Sequence, residues 1–277
     1  MKTQTVDLKK EYGINGGSLD CMTVELPFDA PNPDWKRPAI IVVPGGGYGM
    51  VCKREAEPIA VAFLARGFQA FVLTYTIGGE YGESYPEQLI ELGAAVDYVK
   101  KHADEFNINK DEVFVIGFSA GGHLTGTLAV EYASVSQKAG IELDCKPTAV
   151  GLCYPVVSSI NGHGETYDNL LYGYSDEARK ELYKTLNLNE AVTKDTPPAF
   201  VWATATDQAV PADNAIRFAY ALAQNGVDYE LHVYPRGVHG LATCDEEINP
   251  QGPELIRAKK WLDDCSGFFH MYIKETF

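Results

Sequence analysis

Six short apolar runs recur along the chain with helical patterns between them, and this alternation constrains the fold more than any other feature. The runs are AIIVV (39–43), QAFVLTY (69–75), EVFVIGF (112–118), TAVGLCYP (148–155), AFVWATA (199–205) and YELHVYP (229–235). Most are nearly continuous in apolar residues, as strands covered on both faces must be. In PEQLIELGAAVDYVKKHADEF, Leu89, Leu92, Val96 and Val99 fall on one helical face, with Pro86 at the start. Further helices are expected near 55–66, 120–133, 213–225 and 253–270. Strand–helix alternation predicts an α/β protein with a mostly parallel sheet and helices on both faces. A chain of 277 residues that is 45% hydrophobic can bury such a core. No repeat or Pro/Gly linker divides it, so residues 1–277 read as one domain.

Residues 158–198 break the rhythm. They form a long polar insertion between two strands, carrying Tyr167, Tyr172, Tyr174 and Tyr183. Long excursions in compact domains are often lids or binding loops.

The third run ends abruptly in GFSAG, with Ser119 among small residues. The pattern G-x-S-x-G carries little weight alone. Between an apolar strand and a helix start it describes a sharp elbow, which leaves a serine hydroxyl at the carboxyl edge of the sheet. Small flanking residues are needed because the turn is tight. A serine hydroxyl is a poor nucleophile near neutral pH. It needs a base, and the base needs an orienting acid.

In such a sheet the order should be serine, acid, histidine. His239, in the Gly-flanked loop YPRGVHGL after the last strand, is the candidate base. His232 falls within that strand and reads as structural. His123 lies on the elbow helix and should pack, His102 and His270 sit in helical patterns, and His163 lies in the insertion within reach of a substrate. For the acid, Asp207 directly follows the fifth run. Asp213 reads instead as a cap or first-turn residue of the next helix.

An acyl-transfer site also needs an oxyanion hole. The first run ends at Val43 and is followed by Gly45, Gly46 and Gly47. Glycines bring backbone N–H groups close to a small anion. Neither a Walker loop nor a dinucleotide fingerprint is satisfied there. Gly46 and Gly47 are therefore the expected donors, joined by the N–H of Ala120, the residue after the serine.

With these residues assembled, the chain resembles the α/β-hydrolase superfamily, in particular its carboxylesterase and acetyl (xylan) esterase-like bacterial members. The resemblance runs from about residue 39 to 265 and rests on PGGGY, GFSAGGHL, ATDQAVP and YPRGVHG, in that order. Pro44 stands where lipases of the hormone-sensitive type usually carry a histidine, a departure from that branch's pattern. The resemblance implies an α/β-hydrolase fold and hydrolysis of short acyl esters. It places nucleophile, acid and base at Ser119, Asp207 and His239 and requires no metal or organic cofactor. A polar insertion argues against an interfacial lipase. Its tyrosines, Tyr172 among them, together with Tyr48, Tyr81, Tyr85 and His163, are candidate sugar contacts, the alternative for most of the tyrosines being ordinary half-buried surface aromatics. A peptidase or formamidase-like amidase on the same fold is the alternative, and a non-catalytic binding protein the third reading.

A net charge of −15 disfavours nucleic acid and anionic membranes as partners and favours neutral or cationic small molecules. The N-terminus lacks the roughly 7–15-residue apolar stretch of a secretory signal. Six scattered cysteines without a C-x-x-C pair read as reduced thiols, so a cytoplasmic location is expected. The aromatic C-terminal run WLDDCSGFFHMYIKETF can pack on its own domain or on the partner subunit of a homo-oligomer.

Overall fold

A computed structural model describes residues 1–80, 82–160, 163–246 and 257–274. Among the described residues eight strands form one sheet: β1 (Lys2–Asp7), β2 (Ser18–Thr23), β3 (Arg37–Val43), β4 (Gln69–Thr74), β5 (Ile108–Phe118), β6 (Val150–Cys153), β7 (Ala199–Thr204) and β8 (Tyr229–Tyr234). Their order across the sheet is β1-β2-β4-β3-β5-β6-β7-β8. The pairs β1·β2 and β2·β4 are antiparallel and the others parallel. The helices are α1 (Leu8–Tyr12), α2 (Glu57–Leu64), α3 (Glu87–Lys101), α4 (Ala103–Phe106), α5 (Ala120–Ala139), α6 (Gly164–Leu170), α7 (Asp176–Leu186), α8 (Leu188–Ala191), α9 (Asp213–Gln224) and α10 (Trp261–His270).

Alternation along the strands feeds two cores. Ile41, Val43, Phe71, Leu73, Val113 and Val115 face one side, where α3, α5 and α9 bring Leu92, Leu128 and Phe218. Ile40, Val42, Val72, Phe114, Ile116 and Phe118 face the other, against Phe63 of α2 and Trp261 and Phe269 of α10. The described part of the aromatic C-terminal run therefore packs on its own sheet. Residues 253–256 of the expected last helix lie outside the described residues.

The strand order explains where a site can form. From β3 the chain crosses to β4 on one side, then returns past β3 to β5 and continues outward. Crossovers of one hand put the helices before and after this reversal on opposite faces. The carboxyl ends of β3 and β5, which are neighbours, flank the point where the direction switches, and the crevice there is the usual ligand position. The Gly45–Gly47 loop follows β3 and Ser119 follows β5.

All six expected strands are present. The fourth is shorter than its apolar run, ending at Cys153 because Tyr154 turns into the left-handed region (φ 36°) and Pro155 follows. The hairpin-like pair β1 and β2 was absent from the sequence expectations. β1 is almost wholly exposed and reads KTQTVD, with no apolar run to mark it.

Candidate active site

Ser119 occupies the turn between β5 and α5 with φ 54° and ψ −116°. A non-glycine residue held there costs on the order of 1–3 kcal/mol, so the surroundings must enforce it. Its N–H donates to Cys153 O (3.0 Å), and its carbonyl accepts from His123 N (3.0 Å) and Val156 N (3.2 Å). The neighbouring glycines are required by close approach. A Cβ on Gly117 would overlap Gly121 O, and one on Gly121 would overlap Val43 O and Pro44 O. The elbow is thus wedged against the end of β3.

The three residues expected to act together are joined by hydrogen bonds. Ser119 Oγ lies 2.7 Å from His239 Nε2, and His239 Nδ1 lies 2.7 Å from Asp207 Oδ2. Asp207 is buried, and its Oδ1 accepts from Ala209 N (2.9 Å) and Val210 N (3.0 Å). The imidazole is 23% exposed, enough to reach a substrate. Bonds from Thr204 Oγ1 (3.1 Å) and Thr206 Oγ1 (2.8 Å) to Gly237 O stitch the acid loop to the base loop, and Gly237 N donates back to Thr206 Oγ1 (2.9 Å). With Nδ1–H donated to the carboxylate, Nε2 is free to accept the serine proton.

Asp213 is the first residue of α9 and pairs with Arg217 at 3.2 Å, as a first-turn acid should. The other described histidines are also accounted for. His123 is fully buried, bonded through Nδ1 to Tyr48 Oη and through Nε2 to Leu186 O (both 2.9 Å), and burial pulls it down to about 4. His102 and His270 bond backbone carbonyls one turn back, and His232 pairs with Glu230 within β8.

A cavity of about 540 Å³ opens over Ser119 and His239. Gly46 and Gly47 line it, and among the described residues no hydrogen bond takes their N–H groups. The N–H of Ala120 begins α5, where a helix has no internal acceptor for it. Part of its lining comes from the insertion: His163, Glu165 and Thr166 at the start of α6. His163 is therefore where a substrate can meet it.

Among the described residues, none of the candidate tyrosines lines this cavity. Tyr48 is fully buried, its ring edge-on to Tyr75 and His123. Tyr85 is buried and donates to Glu131 Oε2 at 2.8 Å. Tyr172 is exposed but does not line the cavity. Tyr167 is buried, donating to Leu186 O (2.8 Å). Tyr174 donates to the carbonyl of Tyr85 (2.7 Å). The hydroxyls of Tyr48, Tyr85, Tyr167 and Tyr174 find partners inside the fold, because an aromatic ring with a satisfied O–H packs well. Tyr81 lies outside the described residues.

Sequence reasoning also missed Glu55 and Tyr154. Glu55 is 2% exposed yet borders the cavity, and burial raises its carboxyl above the ordinary range. Its Oε2 accepts from Gly45 N and its Oε1 from Tyr154 Oη, both at 2.8 Å. A charged residue ten positions past a glycine loop carries no signal that it will fold back beneath it.

No helix among the described residues is long and apolar enough to cross a membrane. Among the described residues no cluster of three or more His, Cys, Asp or Glu is arranged to hold a metal ion.

Residues 28–222 match the BD-FAE family, a span that includes Ser119 and Asp207 and stops short of His239. The chain is 36% identical over 221 residues to endo-1,4-beta-xylanase B of Butyrivibrio fibrisolvens, covering 78% of this chain and 34% of that protein. It is 32% identical over 221 residues to an acetylxylan esterase of Xylanibacter ruminicola, covering 77% and 42%. The chain thus spans less than half the length of these curated relatives. Among solved structures, the acetyl ester-xyloside bifunctional hydrolase of Caldicellulosiruptor lactoaceticus superposes with a TM-score of 0.80 at 28% identity, covering 97% of this chain and 96% of that one. Sheet order, site geometry and these matches agree: the chain belongs to the BD-FAE family and has the α/β-hydrolase fold.

Proposed function

We propose that the protein is a serine carboxylic-ester hydrolase that removes short acyl groups, acetyl foremost, from small sugar esters such as acetylated xylo-oligosaccharides. The observation that carries this reading is the hydrogen-bonded chain from Ser119 through His239 to a buried Asp207, opening on one cavity.

In this reading His239 Nε2 takes the Ser119 proton as Oγ attacks the ester carbonyl carbon. The N–H groups of Gly46, Gly47 and Ala120 receive the developing oxyanion. The bond to the alcohol breaks, and His239 hands its proton to the departing oxygen. Water then attacks the acyl-serine, losing a proton to His239, and the acid leaves as Ser119 recovers its hydrogen. Asp207 holds the imidazole tautomer and stabilises its charged form.

A cavity of about 540 Å³ holds a small ligand. Its insertion-derived wall is polar, which suits a sugar alcohol better than a long acyl chain. With no tyrosine lining it among the described residues, recognition falls to His163, Glu165 and Thr166 rather than to ring stacking. The names of two relatives support acetylated xylan fragments as the substrate class. The strongly acidic surface suits neutral substrates, and a cytoplasmic location with reduced cysteines fits oligomers rather than intact polymer.

The test is a panel of p-nitrophenyl acetate, butyrate and octanoate beside acetylated xylo-oligosaccharides. Preference for acetate, with acetate released from the sugars, is expected. Preference for octanoate, or inertness toward every ester, would overturn the acetyl-sugar reading.

A further inference from the structure

We propose that Glu55 is a positioning residue for the reaction: its carboxyl, placed beneath the site, ties the glycine loop that receives the oxyanion to the loop that carries the base. The proposal rests on the serine-hydrolase reading above and deepens it.

Glu55 ends a single 3-10 turn, Lys53–Glu55. Among the described residues each of its oxygens has one hydrogen-bond partner, one in the glycine loop and one that leads toward the base loop. Oε2 accepts the N–H of Gly45 at 2.8 Å. The carboxyl lies directly against this backbone, since a Cβ on Gly45 would come within 2.7 Å of Oε2 and 2.6 Å of Phe118 O. The carbonyl of Gly45 accepts from Cys52 N at 2.9 Å, so both polar groups of Gly45 are fixed. Gly46 and Gly47, the expected donors to the oxyanion, follow immediately.

The other oxygen faces the base. Oε1 accepts from Tyr154 Oη at 2.8 Å, and the same hydroxyl accepts the N–H of Ala242 at 3.0 Å, three residues beyond His239. The Tyr154 ring stands edge-on to the His239 imidazole, 5.1 Å between centroids at 73°. A continuous path therefore runs from Gly45 through Glu55 and Tyr154 to Ala242. Glu55 makes no hydrogen bond to Ser119 or His239 among the described residues, so it acts through its partners.

A buried carboxyl is expensive to desolvate, and its two bonds to the machinery on either side are its compensation. A role in folding alone would be served by any residue that fills the space. Oxyanion stabilisation depends on donors held in place before charge develops, and losing one such donor costs roughly 10²–10³-fold in kcat. Loosening Gly45 should therefore lower kcat and leave KM nearly unchanged, since the interaction strengthens only in the transition state.

The experiment compares Glu55→Ala, Glu55→Gln and Tyr154→Phe on p-nitrophenyl acetate. Working sites are counted by the stoichiometric nitrophenol released from diethyl p-nitrophenyl phosphate. Per counted site, Glu55→Ala should lose about 10²-fold in kcat, with KM within about threefold. Glu55→Gln should recover to within about tenfold, because its amide oxygen still accepts from Gly45 and its N–H can donate to Tyr154 Oη. Tyr154→Phe, which keeps the Gly45 bond and cuts the path to Ala242, should lose about tenfold. A purely structural role would reduce the number of sites and leave their turnover intact. Wild-type kcat per site in Glu55→Ala, or in Tyr154→Phe should the alanine variant fail to fold, overturns the proposal. Ser119→Ala runs alongside. If it stays as active as wild type, the serine reading fails; if it is inactive while Glu55→Ala turns over normally, only the positioning role fails.

Discussion

Asp207 bonds His239 through one carboxylate oxygen, 2.7 Å from Nδ1, and its own loop through the other, which accepts from Ala209 and Val210. The carboxylate is held by its own loop as well as by His239, so in the proposed triad its direction is set by the fold and not by the imidazole. Replacing it by asparagine keeps the shape and the loop bonds. It offers an N–H where the imidazole needs an acceptor and so favours the wrong tautomer. Asp207→Asn should lower kcat about 10³–10⁴-fold with the fold retained. Steady-state kinetics beside a circular dichroism spectrum would check this, and a loss below about tenfold would deny Asp207 its role.

The elbow depends on absent side chains. A methyl group at Gly121 would overlap the carbonyls of Val43 and Pro44, and these are backbone atoms that cannot swing away. Gly121→Ala should destabilise the protein by about 3 kcal/mol or more and displace Ser119. Urea unfolding midpoints, read with kcat, would measure both effects. A stable, active Gly121→Ala enzyme would mean that the wedge between β3 and β5 is looser than described.

Glu91 imposes a pH dependence on stability. Thr76 donates to it through both its N–H, at 2.7 Å, and its hydroxyl, and burial pushes the carboxyl up to about 7 from 4.5. The folded state then holds the proton more tightly than the unfolded one. This contribution to stability is complete below pH 4.5 and is lost as pH rises through about 7, about 3 kcal/mol in all. Glu91→Gln should remove that loss and be more stable than wild type at pH 8. Unfolding free energies across pH 4–8 would show it, and an unchanged slope would contradict it.

His123 has the opposite sign. Buried and neutral, it is lowered to about 4 from 6.5, so as pH falls through this window the unfolded chain takes up a proton the folded chain refuses. Stability from this residue is full above pH 6.5 and drains as pH falls toward 4. His123→Gln should flatten the acid side of the stability curve while lowering its plateau, because the bonds to Tyr48 and Leu186 are replaced imperfectly. An acid limb as steep as the wild type's would assign that titration to another group.

Among the six cysteines only Cys52 is not buried, and it borders the cavity. Partial burial and the nearby Glu55 raise its thiol, so the reactive thiolate is scarce at neutral pH. A disulfide reagent should label one thiol per folded chain, slowly at pH 7 and faster at pH 9, and should block hydrolysis. Cys52→Ser should abolish this labelling at both pH values. Rapid labelling of several thiols in the folded protein would contradict the burial of the other five.

How much of this was legible in the sequence follows from what each feature needs. The parallel core was legible because its strands are covered on both faces and must be apolar throughout. β1 escaped because an exposed edge strand needs no such pattern. Ser119, Asp207 and His239 were legible because each directly follows a recognisable strand or sits in a glycine-flanked loop. Tyr48 and Tyr85 are ambiguous in sequence because tyrosine serves equally well as a buried ring with a bonded hydroxyl or as a surface contact, and only the packing decides. Glu55 and Tyr154 were invisible because the roles proposed for them rest on a contact across 99 residues of sequence.

The role proposed for Ser119 is that of nucleophile in an ester hydrolase. Its most direct test is acetate release from acetylated xylo-oligosaccharides by the wild type and by Ser119→Ala, with folding of both verified by thermal melting. The wild type should hydrolyse them, and Ser119→Ala should retain less than about one part in 10⁴ of kcat. Comparable rates in the two proteins would contradict the claim and place the chemistry elsewhere.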